Sequence, residues 1–494
     1  MQKIYWIILA TLFVSMNVAS QSRFDDTFSK EKMEKDLLLF IKIREAANSG
    51  LYKYRSKAEI DSLHNHAFNQ IAELETYGDF YNLICEITAF EGSCHNSTEM
   101  NEKISSAIKA EKTGYFPYPI KKINKTVRIN FQNDNIPLGA EIIKINDTPI
   151  DEIIQEISIY ANSDGNNSGG KNIFFDVNFG KYYRYRYGIN DSFNIAYKMP
   201  DDESVRQAEI KSISYKAYYN RYDDRHFGHQ EEVKDNDVST KYSFEITEHG
   251  IAILSLHTFS IDDTEQYQSF LDSCLLALEK EEIKSLIVDV RRNGGGSSPH
   301  DMLALRCFTS ETHKEIKSAW TTMTKIPYWR YTDYPYPFYA QPIVRRRIQK
   351  ELKASLKVGQ EGRFYYDGIK EYKPHENAYT GKIYLLLAPN VASAASIFAS
   401  MMMSHTNAVS FGEETLGAYY GHNGVLPIVY KLPKSGIRTI FSIVNLEQDV
   451  FFDEKQFKDR GIIPDVEVQL SIEDFINKED TCMKFVLSKI RMRN

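Results

Sequence analysis

The stretch that most constrains this chain is residues 381–412, GKIYLLLAPNVASAASIFASMMMSHTNAVSFG. Its apolar run at 383–388 has the length of a buried strand. Pro389 and Asn390 break that run. Small and apolar residues then continue for about three helical turns, and a second short strand at 409–411 ends on Gly412. This order commits the region to an α/β core. Ser393 falls at the strand-to-helix turn. There a hydroxyl stands at a helix N-terminus, where free N–H groups and the helix dipole favour developing negative charge. The neighbouring alanines let a substrate backbone come close. A serine that merely caps the helix would look the same in this stretch.

With 494 residues the chain exceeds one ordinary core, so two or three domains are expected. A net charge of −7 counts against a nucleic-acid partner. Residues 1–20 read as an export signal: Lys3 supplies the positive end, 4–18 are apolar, and Val18-Ala19-Ser20 precede cleavage before Gln21. The alternative is an uncleaved anchor, for which the run is short. No cysteine follows it to carry a lipid, so a periplasmic or secreted protein is expected, with no membrane span after cleavage. The five cysteines (Cys85, Cys94, Cys274, Cys307, Cys482) match no zinc spacing, and their number is odd. Neither a metal nor a cofactor is called for.

Taken in order, residues 23–114 read as a helical domain. It holds a helix at 29–48, a Ser56-x-x-Glu59 capping box and a third helix around Phe80 to Ile87. It ends in a polar stretch containing His95, which suits either a plain loop or a base. Residues 115–222 turn to short strands, with a Gly/Ser/Asn loop at 162–171. Residues 223–241 are charged, apolar-poor and a candidate linker. From 242 to 494 strands and helices alternate. The strand at 286–290 runs into Arg291-Arg292-Asn293-Gly294-Gly295-Gly296, where glycines let backbone N–H groups face a ligand. Residues 309–380 break this rhythm and read as an insertion, either a cover for a cleft or a surface excursion. A last helix is expected at 472–490.

Together these motifs resemble the serine peptidases of the tail-specific (C-terminal-processing) protease and tricorn-core family. The order carries the likeness: His95 after the helical region, Asp289-x-Arg291-x-Asn293-x-Gly295-Gly296, Ser393 in its small-residue turn, and Gly461-x-x-Pro464-Asp465 at the close. The resemblance implies a crotonase-like α/β core with a helical N-terminal domain, and a PDZ-like module at 115–222. The family's lysine base belongs where Ala418 stands, and no lysine occurs between Lys382 and Lys431. A Ser–Lys dyad is thereby excluded. The tricorn-like branch, which uses a histidine from the N-terminal part, is the closer match, with His95 in that place. Its orienting acid falls near Asp459 or Glu454, neither a clean match.

The implied reaction is peptide hydrolysis through an acyl-enzyme on Ser393, with His95 as base and the oxyanion between the N–H groups of Gly295 and Ala394. Partners would be peptides or unfolded proteins. A catalytically degenerate peptide-binding relative is the alternative.

Overall fold

Residues 383–387 do form a strand buried along its length, and its neighbours explain why both faces are apolar. In a computed structural model, which describes residues 23–226, 240–334 and 340–492, this strand lies inside a six-stranded sheet. Val466–Glu467, Val409–Gly412, Lys382–Leu387, Ser285–Asp289 and Ile251–Leu256 run parallel in that order, and Tyr242–Ile246 closes the edge antiparallel. Helices Thr264–Lys280 and Ala394–His405 cover one face through Leu271, Leu275, Phe398 and Met402. Helix Thr481–Arg491 covers the other through Val486 and Ile490. A mainly parallel sheet must be covered on both faces, hence the unbroken apolar runs. The expected last helix is in fact two, Ile472–Asn477 and Thr481–Arg491, because Lys478 takes a left-handed conformation between them.

The helices Lys30–Ala47, Lys57–Gln70 and Tyr77–Phe90 form where read, and the capping boxes at Ser56 and Thr76 are both closed. They do not keep a core to themselves. One apolar cluster runs from Phe24 through Phe80 to Phe116, Ile142 and Tyr197, so the helical region and the antiparallel sheet of residues 120–211 share it. Helix Asn172–Tyr187, which the aromatic-rich sequence disguised, seals that cluster with Phe175 and Phe179.

A third sheet joins these parts. Arg438–Glu447 pairs with Val425–Lys431, with Ser318–Thr321 and, at its other end, with Ser97–Glu99. Residues 309–380 are therefore woven into the fold rather than laid over it. Ser318–Thr321, Phe364–Tyr366 and Leu356–Val358 extend this sheet. Helix Lys30–Ala47 packs beside it, with the buried Arg44 guanidinium 4.4 Å from the Phe441 ring centroid and 3.1 Å from Glu91. The Asp36 carboxylate receives Lys434 N–H, Ser435 N–H and the Ser435 hydroxyl.

Of the proposed linker, residues 223–226 end the helix Tyr215–His226, and 227–239 lie outside the described residues, as does the 1–20 signal. Among the described residues no helix is long and apolar enough to cross a membrane. All five cysteines are free thiols.

Candidate active site

Ser393 does not cap its helix. Its side chain makes no cap hydrogen bond, and its backbone sits at φ 54°, ψ −128°. A non-glycine residue in that region is strained by about 1–3 kcal/mol and persists only where its surroundings enforce it. The enforcement is visible. Ser396 donates its hydroxyl to the Ser393 carbonyl at 2.8 Å, Ala395 N–H bonds Ala392 O, and Gly417 N–H bonds Val391 O. Ser396 is thus the brace and Ser393 the residue presented. A sharp strand-to-helix turn that pushes a serine hydroxyl outward is the geometry of an exposed nucleophile.

The turn at 291–296 comes up beside it. Arg291 grips Asp289 and, across the sheet end, Asp480. Asn293 donates to Leu256 O and accepts from Gly295 N–H. Gly295 has a positive φ of 111°, and a β-carbon there would lie 2.7 Å from Ser393 Cβ and 3.2 Å from Ala394 N. No other residue type fits. Ala394 opens the helix, so its N–H stands outside the intrahelical ladder and faces the same space. The Gly295 N–H is held by Asn293, whereas Gly296 lines the cavity together with Ser393 and Ala394.

Of His95, His300, His405 and His422, three are explained by their contacts and one is not. His300 is tied at Nδ1 to Phe259 O and Ser297 O and at Nε2 to the Thr264 hydroxyl. His405 Nε2 meets Asp449 O. His95 and His422 stack, with ring centroids 4.6 Å apart. His95 arrives on the segment leading into strand Ser97–Glu99 and lies against Gly424. A β-carbon on that glycine would be 2.4 Å from His95 Nε2 and 2.6 Å from His422 Nδ1. Gly424 and His422 line the Ser393 cavity. Neither ring nitrogen of His422 has a hydrogen-bond partner among the described residues, and burial holds its pKa well below the usual histidine value.

The carboxylate beside His95 is Asp164, from the polar 162–171 loop, rather than either acid expected from sequence. The ligand atoms of Cys94, His95 and Asp164 lie within 4.8 Å of one another. Asp164 is fully buried and accepts Cys94 N–H at 3.0 Å and Ala418 N–H at 3.1 Å. Ala418, where a lysine was missing, thus contributes its backbone instead. Burial and the Asp164 charge raise the Cys94 thiol well above its usual pKa. Its Sγ stands 3.3 Å from His95 Nδ1. In the tautomer whose Nδ1–H donates to this sulfur, Nε2 keeps its lone pair. Burial lowers the His95 pKa, and the Asp164 charge opposes that. Asp459 is engaged elsewhere, its carboxylate receiving Asn166 Nδ2, and Glu454 is exposed in a surface cleft with Phe451 and Phe452. The missed residue did leave a trace in sequence: Asn162-Ser163-Asp164-Gly165 is a turn-forming run with one acid. Nothing local says that Gly165 N–H will pair with Gly92 O beside His95.

Lys53 completes the surroundings. Its ammonium donates to Asn445 Oδ1 at 3.0 Å and Leu446 O at 2.8 Å, and burial pushes its pKa down to about 8.

Comparisons with known proteins bear on the fold and the family. Residues 250–468 match the model of peptidase family S41. No curated protein sequence matches significantly. Among solved structures, a serine-to-alanine mutant of CPAF is similar at a TM-score of 0.61 and 13% identity, covering 91% of this chain and 95% of that one. Mature CPAF in complex with lactacystin is similar at 0.59 and 11%, covering 93% and 97%. At such identity the likeness speaks for the fold, which extends over nearly the whole chain. The family match covers the strand–glycine turn, the Ser393 elbow and the closing Gly461–Asp465 segment alike, and residues 250–468 belong to peptidase family S41, a family of serine-type peptidases.

Proposed function

We propose that this protein is an exported endopeptidase that cleaves peptides or unfolded proteins through an acyl-enzyme on Ser393, with His95 as general base. The carrying observation is the strained, uncapped Ser393, whose cavity also holds the glycine against which His95 Nε2 rests. In this reading the Ser393 hydroxyl attacks the scissile carbonyl while His95 Nε2 takes its proton. The imidazolium then protonates the leaving amine, and water repeats the sequence to free the acyl group. Ala394 N–H stabilises the oxyanion, with the glycine turn at 295–296 forming the opposite wall. Asp164 favours the imidazolium through the Cys94 thiol. The parallel sheet with its elbow supports a crotonase-like core, and the antiparallel sheet of residues 120–211 supports a PDZ-like module fused to the helical region. Export rests on the 1–20 segment.

A second reading makes His422 the base, favoured by its two unpartnered ring nitrogens in the same cavity. A serine-directed fluorophosphonate and a protein substrate separate the readings. Wild type should label and Ser393→Ala should not. His95→Gln should lose at least about a thousandfold in kcat, as triad members do, while His422→Gln keeps measurable turnover. The reverse order moves the base to His422. Absence of labelling in folded wild type refutes the peptidase mechanism.

A further inference from the structure

The cavity that opens on Ser393 has a volume of about 400 Å³, room for one long side chain. Its walls are largely apolar, with Ile316, Ile369, Ile397 and Val425 among them. Three acids also line it, Asp301, Glu315 and Asp367, and no lysine or arginine does so among the described residues. Asp367 is neutralised by Lys357 at 2.7 Å. Among the described residues the other two have no ion-pair partner. Asp301 is 1% exposed, and the hydrogen bond that reaches it is the N–H of the next residue, Met302. Glu315 adds its own negative charge to the Asp301 environment. His422, kept neutral by burial, contributes no positive charge.

A carboxylate buried without a cation or a full set of donors costs several kcal/mol. Proteins keep such groups where a ligand supplies what the fold withholds. The combination found here, apolar walls with unneutralised carboxylates, fits a side chain with a long alkyl stem and a cationic head. We propose that this cavity receives a lysine or arginine adjacent to the scissile bond, its stem along Ile316, Ile369 and Ile397 and its head at Asp301 and Glu315. The assignment rests on Ser393 being the nucleophile, since that is what makes the cavity a substrate subsite.

The test uses binding as well as turnover, so that it stands apart from the peptidase mechanism. Full-length Ser393→Ala is titrated by calorimetry with peptides identical except for lysine, norleucine or glutamate at one position. A position-scanned fluorogenic library is run in parallel with wild type to locate the preference on either side of the cleaved bond. The lysine peptide should bind at least tenfold more tightly than the norleucine peptide, and the glutamate peptide most weakly. Glu315→Gln and Asp301→Asn, each added to Ser393→Ala, should each shrink the lysine advantage severalfold and leave norleucine binding unchanged. Glu315 is only partly buried, so its variant tests the acid head-group contact without altering the buried Asp301. Equal binding of lysine and norleucine peptides overturns the inference, whether or not wild type labels with fluorophosphonate. So does a library preference for an apolar or acidic residue that Glu315→Gln leaves unaltered. Loss of labelling with the lysine preference intact refutes the mechanism and keeps the subsite.

Discussion

Replacing Asp164 by asparagine asks how much of the site's chemistry comes from a charge that never touches the imidazole. The His95 ring and the carboxylate stand no more than 4.8 Å apart. At an effective dielectric near 20, a unit charge pair at that separation is worth about 3.5 kcal/mol, or roughly 300-fold in rate. In the proposed mechanism the charge is on His95 in the transition state and absent in the ground state, so the loss should fall on kcat and spare KM. Asparagine keeps the shape and one acceptor for the N–H groups of Cys94 and Ala418, at a stability cost of about 1–3 kcal/mol. Removing the charge also removes what opposes burial at His95. The acid limb of the kcat/KM–pH profile should therefore move to lower pH. The assay is steady-state hydrolysis of a fluorogenic peptide from pH 5 to 9, with circular dichroism to verify folding. A folded variant within threefold of wild type, its acid limb unmoved, would refute the role given to Asp164.

Two further outcomes follow from the same geometry. Ser393→Gly relieves the φ 54° backbone, whereas Ser393→Ala retains the β-carbon and the strain; the glycine variant should unfold at higher temperature than the alanine variant by the equivalent of about 1 kcal/mol or more, and equal melting points would mean the turn is unstrained. Burial pushes the Asp301 carboxyl up from 3.8 to about 7 against the Met302 N–H, so the folded chain keeps a proton that the unfolded chain has lost. That contribution is present below about pH 4 and lost as the pH rises through about 7, so Asp301→Asn should gain stability relative to wild type between pH 5 and 8, by at most about 4 kcal/mol; a difference in melting temperature that stays flat over that range contradicts it.

Much of this molecule was legible because local patterns carried it. The buried strands at 251–256, 285–289 and 382–387 are continuous apolar runs, and the capping box at Ser56 follows a fixed spacing. Ser393 was legible as a strand–helix serine, but the strain that separates it from a cap is not a sequence property. Asp164 was not legible, because its role comes from long-range pairing: Gly165 with Gly92, and Asp164 itself with Ala418. Helix Asn172–Tyr187 was missed for a different reason. Its tyrosines and phenylalanines carry weak helical preference, and burial of that face against the neighbouring core decides the matter. The insertion at 309–380 was visible as a break in rhythm, while its strands are short and, among the described residues, pair with Arg438–Glu447 and with one another.

The pairing of Ser97–Glu99 with Arg438–Ile440 also sets a clock on this enzyme. Glu99 and Arg438 are joined across 339 positions of chain, and His95 sits just ahead of that junction. A chain leaves the ribosome from its N-terminus at about 5–20 residues per second. In the proposed mechanism, base and nucleophile therefore exist for many seconds as separate, inactive pieces. Only when the strand near residue 440 has emerged and captured its partner can the two meet. Late assembly of the active site then keeps the growing chain inactive until most of it has been made.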